Sequence, residues 1–302
     1  MRPDAFSTHH PAVTLTFFVG VIVLCVLVQQ PVVQAVGLMG AMLYYLCLRG
    51  RDAWRLLVAM ALALIALTAI NPLFNTLGDT VLFTYLGARP YTLEALAYGA
   101  STATMFVSVM LWFACYAQVM STDKFTYLFG RRAPALTLVL TMTLRLVPSY
   151  VRKARQISTA RRCVGLSMTQ GSVRERARDG ASLLSALTSW ALEGAVTTAD
   201  SMRSRGYGAR TSGDSSIPGR YLQCRFRMRD ALLLALMVAC VIVTCIALAS
   251  GALAVSYVPA IDIPALPPLG IGALVACTVL VLAPSAIDAK EAIAWRSSLS
   301  SI

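Results

Sequence analysis

The stretch "APALTLVLTMTLRLVP", residues 133–148, decides the fold, because it is either one more membrane crossing or the first helix of a segment outside the bilayer. Apolar runs free of charge lie at about 13–29, 32–48, 56–70, 97–120, 231–249 and 269–284. A spanning helix needs roughly 20 apolar residues, with about 17 as the lower limit. The 56–70 run is short, but Trp54 and Arg55 before it can sit at the interface. Six spans follow. The 133–148 stretch holds sixteen residues, with Arg145 among them. Crossing there would carry the most basic part of the chain to the far side, against the bias that keeps Lys and Arg in the cytoplasm. We read it as an amphipathic or bundle-packed helix bounded by Pro134 and Pro148.

The composition requires a membrane. Of 302 residues, 57% are hydrophobic and 13% charged, with a mean hydropathy of +0.68; soluble domains carry about a quarter charged residues. The formal net charge of +12 is concentrated. Between Arg145 and Asp230 stand sixteen Lys or Arg and six Asp or Glu, and the rest of the chain is close to neutral. Arg49, Arg51 and Arg55 mark one loop as cytoplasmic, and Lys124, Arg131 and Arg132 another. The loops around 29–31, 71–95 and 250–268 carry only Arg89 and face outward. Both termini are then inside. The first run also admits a signal-peptide reading, with Val33-Gln34-Ala35 as a loose cleavage site. The second run that follows at once favours a helical hairpin turning at Gln29-Gln30-Pro31.

The expected fold is an all-α polytopic membrane protein: a transmembrane bundle over 1–120, a cytoplasmic module of long helices over 121–230, and a C-terminal transmembrane hairpin with a cytoplasmic tail over 231–302. Within the module, one helix is expected over about 150–163. Another covers about 172–205, where Leu184, Leu187, Ala191, Ala195, Ala199 and Met202 fall on one face.

Catalytic constellations are missing, and no cofactor is expected. The chain has three lysines, none after a glycine, so no Gly-Lys-Ser/Thr phosphate loop exists. Eight scattered cysteines without a CxxC pair and two adjacent histidines support neither a metal site nor a disulfide framework; buried thiols are the expected use. The charge-free spans disfavour an ion-coupled carrier. Glu193 and Asp200 lie roughly on one helix face and are expected to pair with nearby arginines. Nucleic acid is not an expected partner, because the basic segment faces an anionic leaflet and lacks interleaved aromatics.

The remaining signal is at two helix ends. In "TTADSMRSRGYGARTS", residues 197–212, Arg203 and Arg205 precede Gly206 and Gly208. Basic residues in a last turn complement the exposed carbonyls, and glycine past the end closes the helix. The same residues also suit a docking role, since an arginine fork meets a partner's carboxylate well. A similar end occurs at "ARRCVG", 160–165, where Arg161 and Arg162 precede Gly165 as Arg203 and Arg205 precede Gly208.

The segments "INPLF" (70–74), "YTLEALAYG" (91–99), "STDKFTYLFG" (121–130), "TLRLVPSY" (143–150) and "SMRSRGYG" (201–208), in that order, resemble the transmembrane T component of energy-coupling-factor (ECF) transporters. The resemblance implies a scaffold and transducer in the prokaryotic plasma membrane for uptake of a vitamin or transition metal. It implies as partners two ATP-binding cassette ATPase subunits, a substrate-binding membrane S component and the lipid bilayer. It assigns ATPase docking to Ser204-Arg205-Gly206. At the first motif the family's Ala-Arg-Gly falls on Cys163-Val164-Gly165, with valine in the arginine's place, and Arg161, flanked by Ala160 and Arg162, is the expected substitute. The alternative from another class is a membrane-embedded enzyme acting on lipid or phosphate groups at the basic face.

Overall fold

The computed structural model describes residues 6, 9–75, 78, 80–85, 89–129, 133–165, 172–207, 227–255 and 267–299, of which 82–85, 89–90, 134 and 291–299 are described as backbone only. The chain divides into two compact units, residues 1–128 with 224–302, and residues 129–223.

The first unit is a helical bundle. Its elements are α1 (Pro11–Leu27), α2 (Pro31–Arg49), α3 (Trp54–Phe74), α4 (Leu93–Val119), α5 (Thr122–Phe129, at the boundary), α8 (Met228–Ala249) and α9 (Pro268–Leu299). Proline stands at the first position of α1 and α2, where its missing N–H costs nothing. The turn between them lies at 28–30, where the sequence places it. α2 and α3 are parted at Gly50, whose φ of +58° ends α2, and by a 3-10 turn, Gly50–Ala53. At the start of α4, the Thr92 hydroxyl accepts the Ala95 N–H at 3.4 Å.

Side-chain pairs fix the helix directions. α2 runs parallel to α4, since the Ser101 hydroxyl donates to Gln34 Oε1 at 2.7 Å and the Cys115 thiol reaches the Ala41 carbonyl at 3.9 Å. α3 runs antiparallel to α4: a Cβ on Gly99 would lie 2.7 Å from Cβ of Asn71, near the opposite end of α3. α1 is also antiparallel to α4, with the Phe18 and Tyr116 rings 5.6 Å apart and Cys25 Sγ 3.6 Å from the Ser108 hydroxyl. α8 and α9 meet at Thr244 and Cys277, 3.5 Å apart. The Arg49–Arg55 turn, the end of α4, the start of α8 and Asp288 of α9 therefore share one end of the bundle. The 29–31 turn and the start of α4 share the other, so the arginine-bearing turn and Lys124 lie together as the charge bias requires.

Much of the surface of this unit is apolar. α3 fully buries only Leu57 and Pro72, while Leu62 and Ile65 are 68% and 64% exposed. A helix apolar all round suits lipid and not water. Four helical stretches among the described residues are long and apolar enough to cross a membrane: Pro31–Phe74, which holds both α2 and α3, Leu93–Val119, Met228–Ala249 and Pro268–Lys290. α1 is a shorter apolar helix. The 133–148 stretch is not among the four.

A two-stranded hairpin interrupts the otherwise helical chain, with β1 (Val81–Tyr85) antiparallel to β2 (Arg89–Thr92). Its register pairs Val81 with Thr92 and Tyr85 with Arg89, with an irregularity between Val81 and Phe83. The β-branched and aromatic residues of "VLFTY" suit a strand.

The second unit holds α6 (Pro134–Cys163) and α7 (Val173–Ser204). The expected break at Pro148 is absent: α6 is one 30-residue helix with Pro148 inside it. Proline removes a single bond, to the carbonyl four residues back, at about 3 kcal/mol. α6 contains no glycine to compound that loss, so the flanking turns carry the helix through. α7 opens with a capping box, in which the Ser172 hydroxyl accepts the Glu175 N–H and the Glu175 carboxylate accepts the Ser172 N–H. At about 1.5 Å per residue its 32 residues span roughly 50 Å.

The stripe on α7 is also corrected. Of the expected stripe Leu187, Ala191 and Met202 are half-buried, joined by Leu183 and Trp190, whereas Leu184, Ala195 and Ala199 are exposed. The reason is the register with α6. The Tyr150 ring meets Trp190 edge-on at 5.5 Å, and Lys153 lies over the same indole at 5.7 Å. Trp190 fixes which face turns inward, and Ala195 and Ala199 lie off that face.

Candidate functional site: two closed helix ends

Within the second unit, α7 ends in a hydrogen-bonded reverse turn. Gly206 has φ +78°, its N–H donates to the Arg203 carbonyl at 3.0 Å, and the Tyr207 N–H donates to the Met202 carbonyl at 3.1 Å. This pair of bonds is the Schellman arrangement, with Arg205 as C-cap and Gly206 as the left-handed residue after it. Gly206, not Gly208, closes the helix; Gly208 lies outside the described residues. Ser204 turns its hydroxyl back onto the Ser201 carbonyl at 2.9 Å. Arg205 is exposed, and among the described residues its guanidinium has no partner. The cap thus carries a cationic side chain on an ordered backbone at the tip of a long helix.

α6 ends with a matching C-cap and left-handed glycine. Gly165 has φ +80° and its N–H donates to the Arg162 carbonyl at 3.1 Å. The C-cap residues match as well: Val164 has φ −99° and ψ 12°, Arg205 has φ −87° and ψ 5°. Position by position, Arg162 corresponds to Arg203, Cys163 to Ser204, Val164 to Arg205 and Gly165 to Gly206. This replaces the pairing of Gly165 with Gly208. Arg161 corresponds to Met202, a full turn back from the tip.

Arg161 is occupied elsewhere. Its guanidinium donates to the Asp179 carbonyl at 2.9 Å and to the Ser182 hydroxyl, bracing α6 against α7. Arg162 is exposed, and Val164 is 78% exposed. Glu193 and Asp200 are exposed too, and neither makes an ion pair with an arginine among the described residues.

Sequence patterns missed the N-terminal strap of the bundle. Phe6 is fully buried, its ring 5.2 Å from Phe17 and 6.3 Å from Tyr44, and its N–H donates to the Asp288 carboxylate at 3.2 Å. His9 Nδ1 lies 2.6 Å from Asp230 Oδ1, while Asp230 Oδ2 accepts the Arg227 N–H at 3.1 Å. No group of three metal-ligating side chains is assembled among the described residues. Of the seven cysteines there, Cys115, Cys240 and Cys277 are buried, Cys25 is half-buried, and Cys47, Cys163 and Cys245 are exposed.

An apolar-surfaced bundle joined to a pair of long helices with basic, glycine-closed ends defines a multi-pass membrane protein with an appended helical module. The chain belongs to the CbiQ family of cobalt transport proteins, whose sequence model matches residues 4–215, from the N-terminal strap through α7. Membership makes it a transmembrane component of a transporter of the cobalt and energy-coupling-factor type. A search of curated proteins finds no match to the chain.

Proposed function

We propose that this chain is the scaffold and energy-transducing T component of an ECF-type importer in a prokaryotic plasma membrane. Its residues 121–230 form a cytoplasmic coupling module that links two ATP-binding cassette ATPase subunits to a separate substrate-binding S component. The cargo class is a vitamin or a transition metal. The observation that carries this reading is the end of α7, where Arg205, exposed and without a partner among the described residues, stands at a hydrogen-bonded cap beyond a helix of 32 residues. A mobile side chain on a frayed end would transmit little. A capped one on a roughly 50 Å lever moves with whatever holds it. ATP-driven approach of the two ATPases would draw the helix ends with them and tilt the bound S component. In this reading the chain acts as a transducer and not an enzyme.

Affinity purification from the native host tests this. ATPase subunits, identified by mass spectrometry and by ATP hydrolysis in the eluate, are expected with the full-length chain. A cysteine placed at Ser172, in a background without the native cysteines, is expected to label in inverted vesicles and not from outside intact cells. Labelling from outside, or a chain that supports uptake with no ATPase bound, would sink the proposal.

A further inference from the structure

The two helix ends share a C-cap geometry and a left-handed glycine and differ in one position of consequence. Arg162 and Arg203 hold the same place, as do Gly165 and Gly206; at the C-cap between them stand Val164 and Arg205. A single exposed valine on a protein surface ordinarily needs no explanation. This one stands at the C-cap of α6 and is 78% exposed. The arginine one turn back, which could have compensated, is committed to the Asp179 carbonyl and Ser182.

Resting on the docking reading above, we infer that the end of α6 docks as an apolar plug. Val164 sits in a recess of its ATPase subunit that is lined by apolar side chains and holds no carboxylate for an arginine. The partner groove that receives Arg205 is acidic, and the one that receives Val164 is not. Placing valine against a desolvated carboxylate would leave that charge buried and alone, which costs more than the contact returns. Two tips with matching C-caps and opposite cap chemistry therefore select two unlike grooves, and the two ATPases present different surfaces to this chain.

The test uses the full-length chain in detergent and the ATPase subunits that co-purify with it, each titrated separately. Val164 is a surface residue at a φ open to any L-amino acid, so its variants should melt like wild type. For the subunit bound at α6, Val164→Ala should weaken binding about tenfold, at about 0.8 kcal/mol per lost methyl group. Val164→Asp should weaken it about a hundredfold and Val164→Arg at least tenfold, while the other subunit binds unchanged. Binding of Val164→Arg as tight as wild type or tighter would overturn the apolar recess, as would indifference to all three substitutions. Arg205→Ala separates this failure from that of the docking reading: if Arg205→Ala still releases its subunit, only the apolar-plug inference falls. If neither tip affects ATPase binding, docking itself is wrong.

Discussion

The guanidinium of Arg161 donates to the backbone carbonyl of Asp179 across the α6–α7 pair, at 2.9 Å. The same fork reaches Ser182, and eleven residues back along α6 Tyr150 abuts Trp190. Two tethers at opposite ends of a shared face hold the helices in one register. Arg161→Ala is expected to leave the overall fold intact and to raise amide exchange through residues 176–190 of α7. ATPase association should fall far less than with Arg205→Ala. Exchange unchanged by the substitution, with association lost, would show that Arg161 faces a partner instead of α7.

Gly206 and Gly194 lie on or beside the same helix and should respond oppositely to alanine. At φ +78° Gly206 is in the left-handed region, where a Cβ costs about 1 kcal/mol or more. Gly194 is in the helix interior with nothing within 4 Å of an added Cβ, so alanine there should stabilise α7 by about 0.4–1 kcal/mol. Amide exchange over 195–205 should quicken in Gly206→Ala and slow in Gly194→Ala. The same direction in both would contradict the cap geometry.

The capping box makes the start of α7 sensitive to acid. The Ser172 backbone N–H, at 2.8 Å, and then its hydroxyl, at 3.1 Å, donate to the Glu175 carboxylate and hold it below the usual range for a glutamate. A depressed pKa contributes stability that is present above the unfolded value, about 4.3, and is lost as pH falls through the folded one. Protection factors over 173–178 should fall between about pH 5 and pH 3 in wild type and should stay level in Glu175→Gln. Ser172→Ala should destabilise the helix by about 0.5–2 kcal/mol.

Local rules made part of this architecture legible. Ser172 with Glu175 three residues on marks the start of α7, and Arg203 with Gly206 marks its end, because caps are made by near neighbours in sequence. Pro148 misled for the same reason: a local breaking signal was overridden by a helix otherwise free of breakers. The hairpin at 81–92 hid in a segment classed by its lack of charge, although the Val, Phe and Tyr of "VLFTY" were a usable strand signal. Arg161 could not be placed from sequence, since its role depends on which face of α7 lies opposite. The pairing of His9 with Asp230, 221 positions apart, leaves no periodic trace at all.

That strap should matter to the bundle's stability. Phe6 fills a site among Phe17, Phe18 and Tyr44, so Phe6→Ala should cost about 3–5 kcal/mol through lost burial and a residual cavity. His9→Ala should cost less, about 1–3 kcal/mol, because Asp230 keeps the Arg227 N–H as a second donor. Thermal unfolding in detergent ranks the two. An equal or reversed ranking would mean that the polar tie, not the aromatic plug, anchors the N-terminus.

Arg205 separates a helix-end charge from a docking residue by magnitude. A cation complementing the last carbonyls of an exposed helix is worth about 0.3–1 kcal/mol, and the Schellman bonds from Gly206 and Tyr207 remain when it is removed. As a desolvated fork paired with a partner's carboxylate, its truncation costs roughly 2–5 kcal/mol. That is a loss of about thirtyfold or more in affinity, at about 1.4 kcal/mol per decade. Arg205→Ala is therefore expected to express and melt like wild type, to lose transport, and to release the ATPase subunit bound at α7. Arg205→Lys should recover association only in part, since a point charge lacks the bidentate geometry. Arg203→Ala should do little, because Arg203 sits two residues inside the tip and its backbone carbonyl, not its side chain, serves the cap. Transport and association at wild-type levels in both alanine variants would reduce this end to a solvated helix terminus.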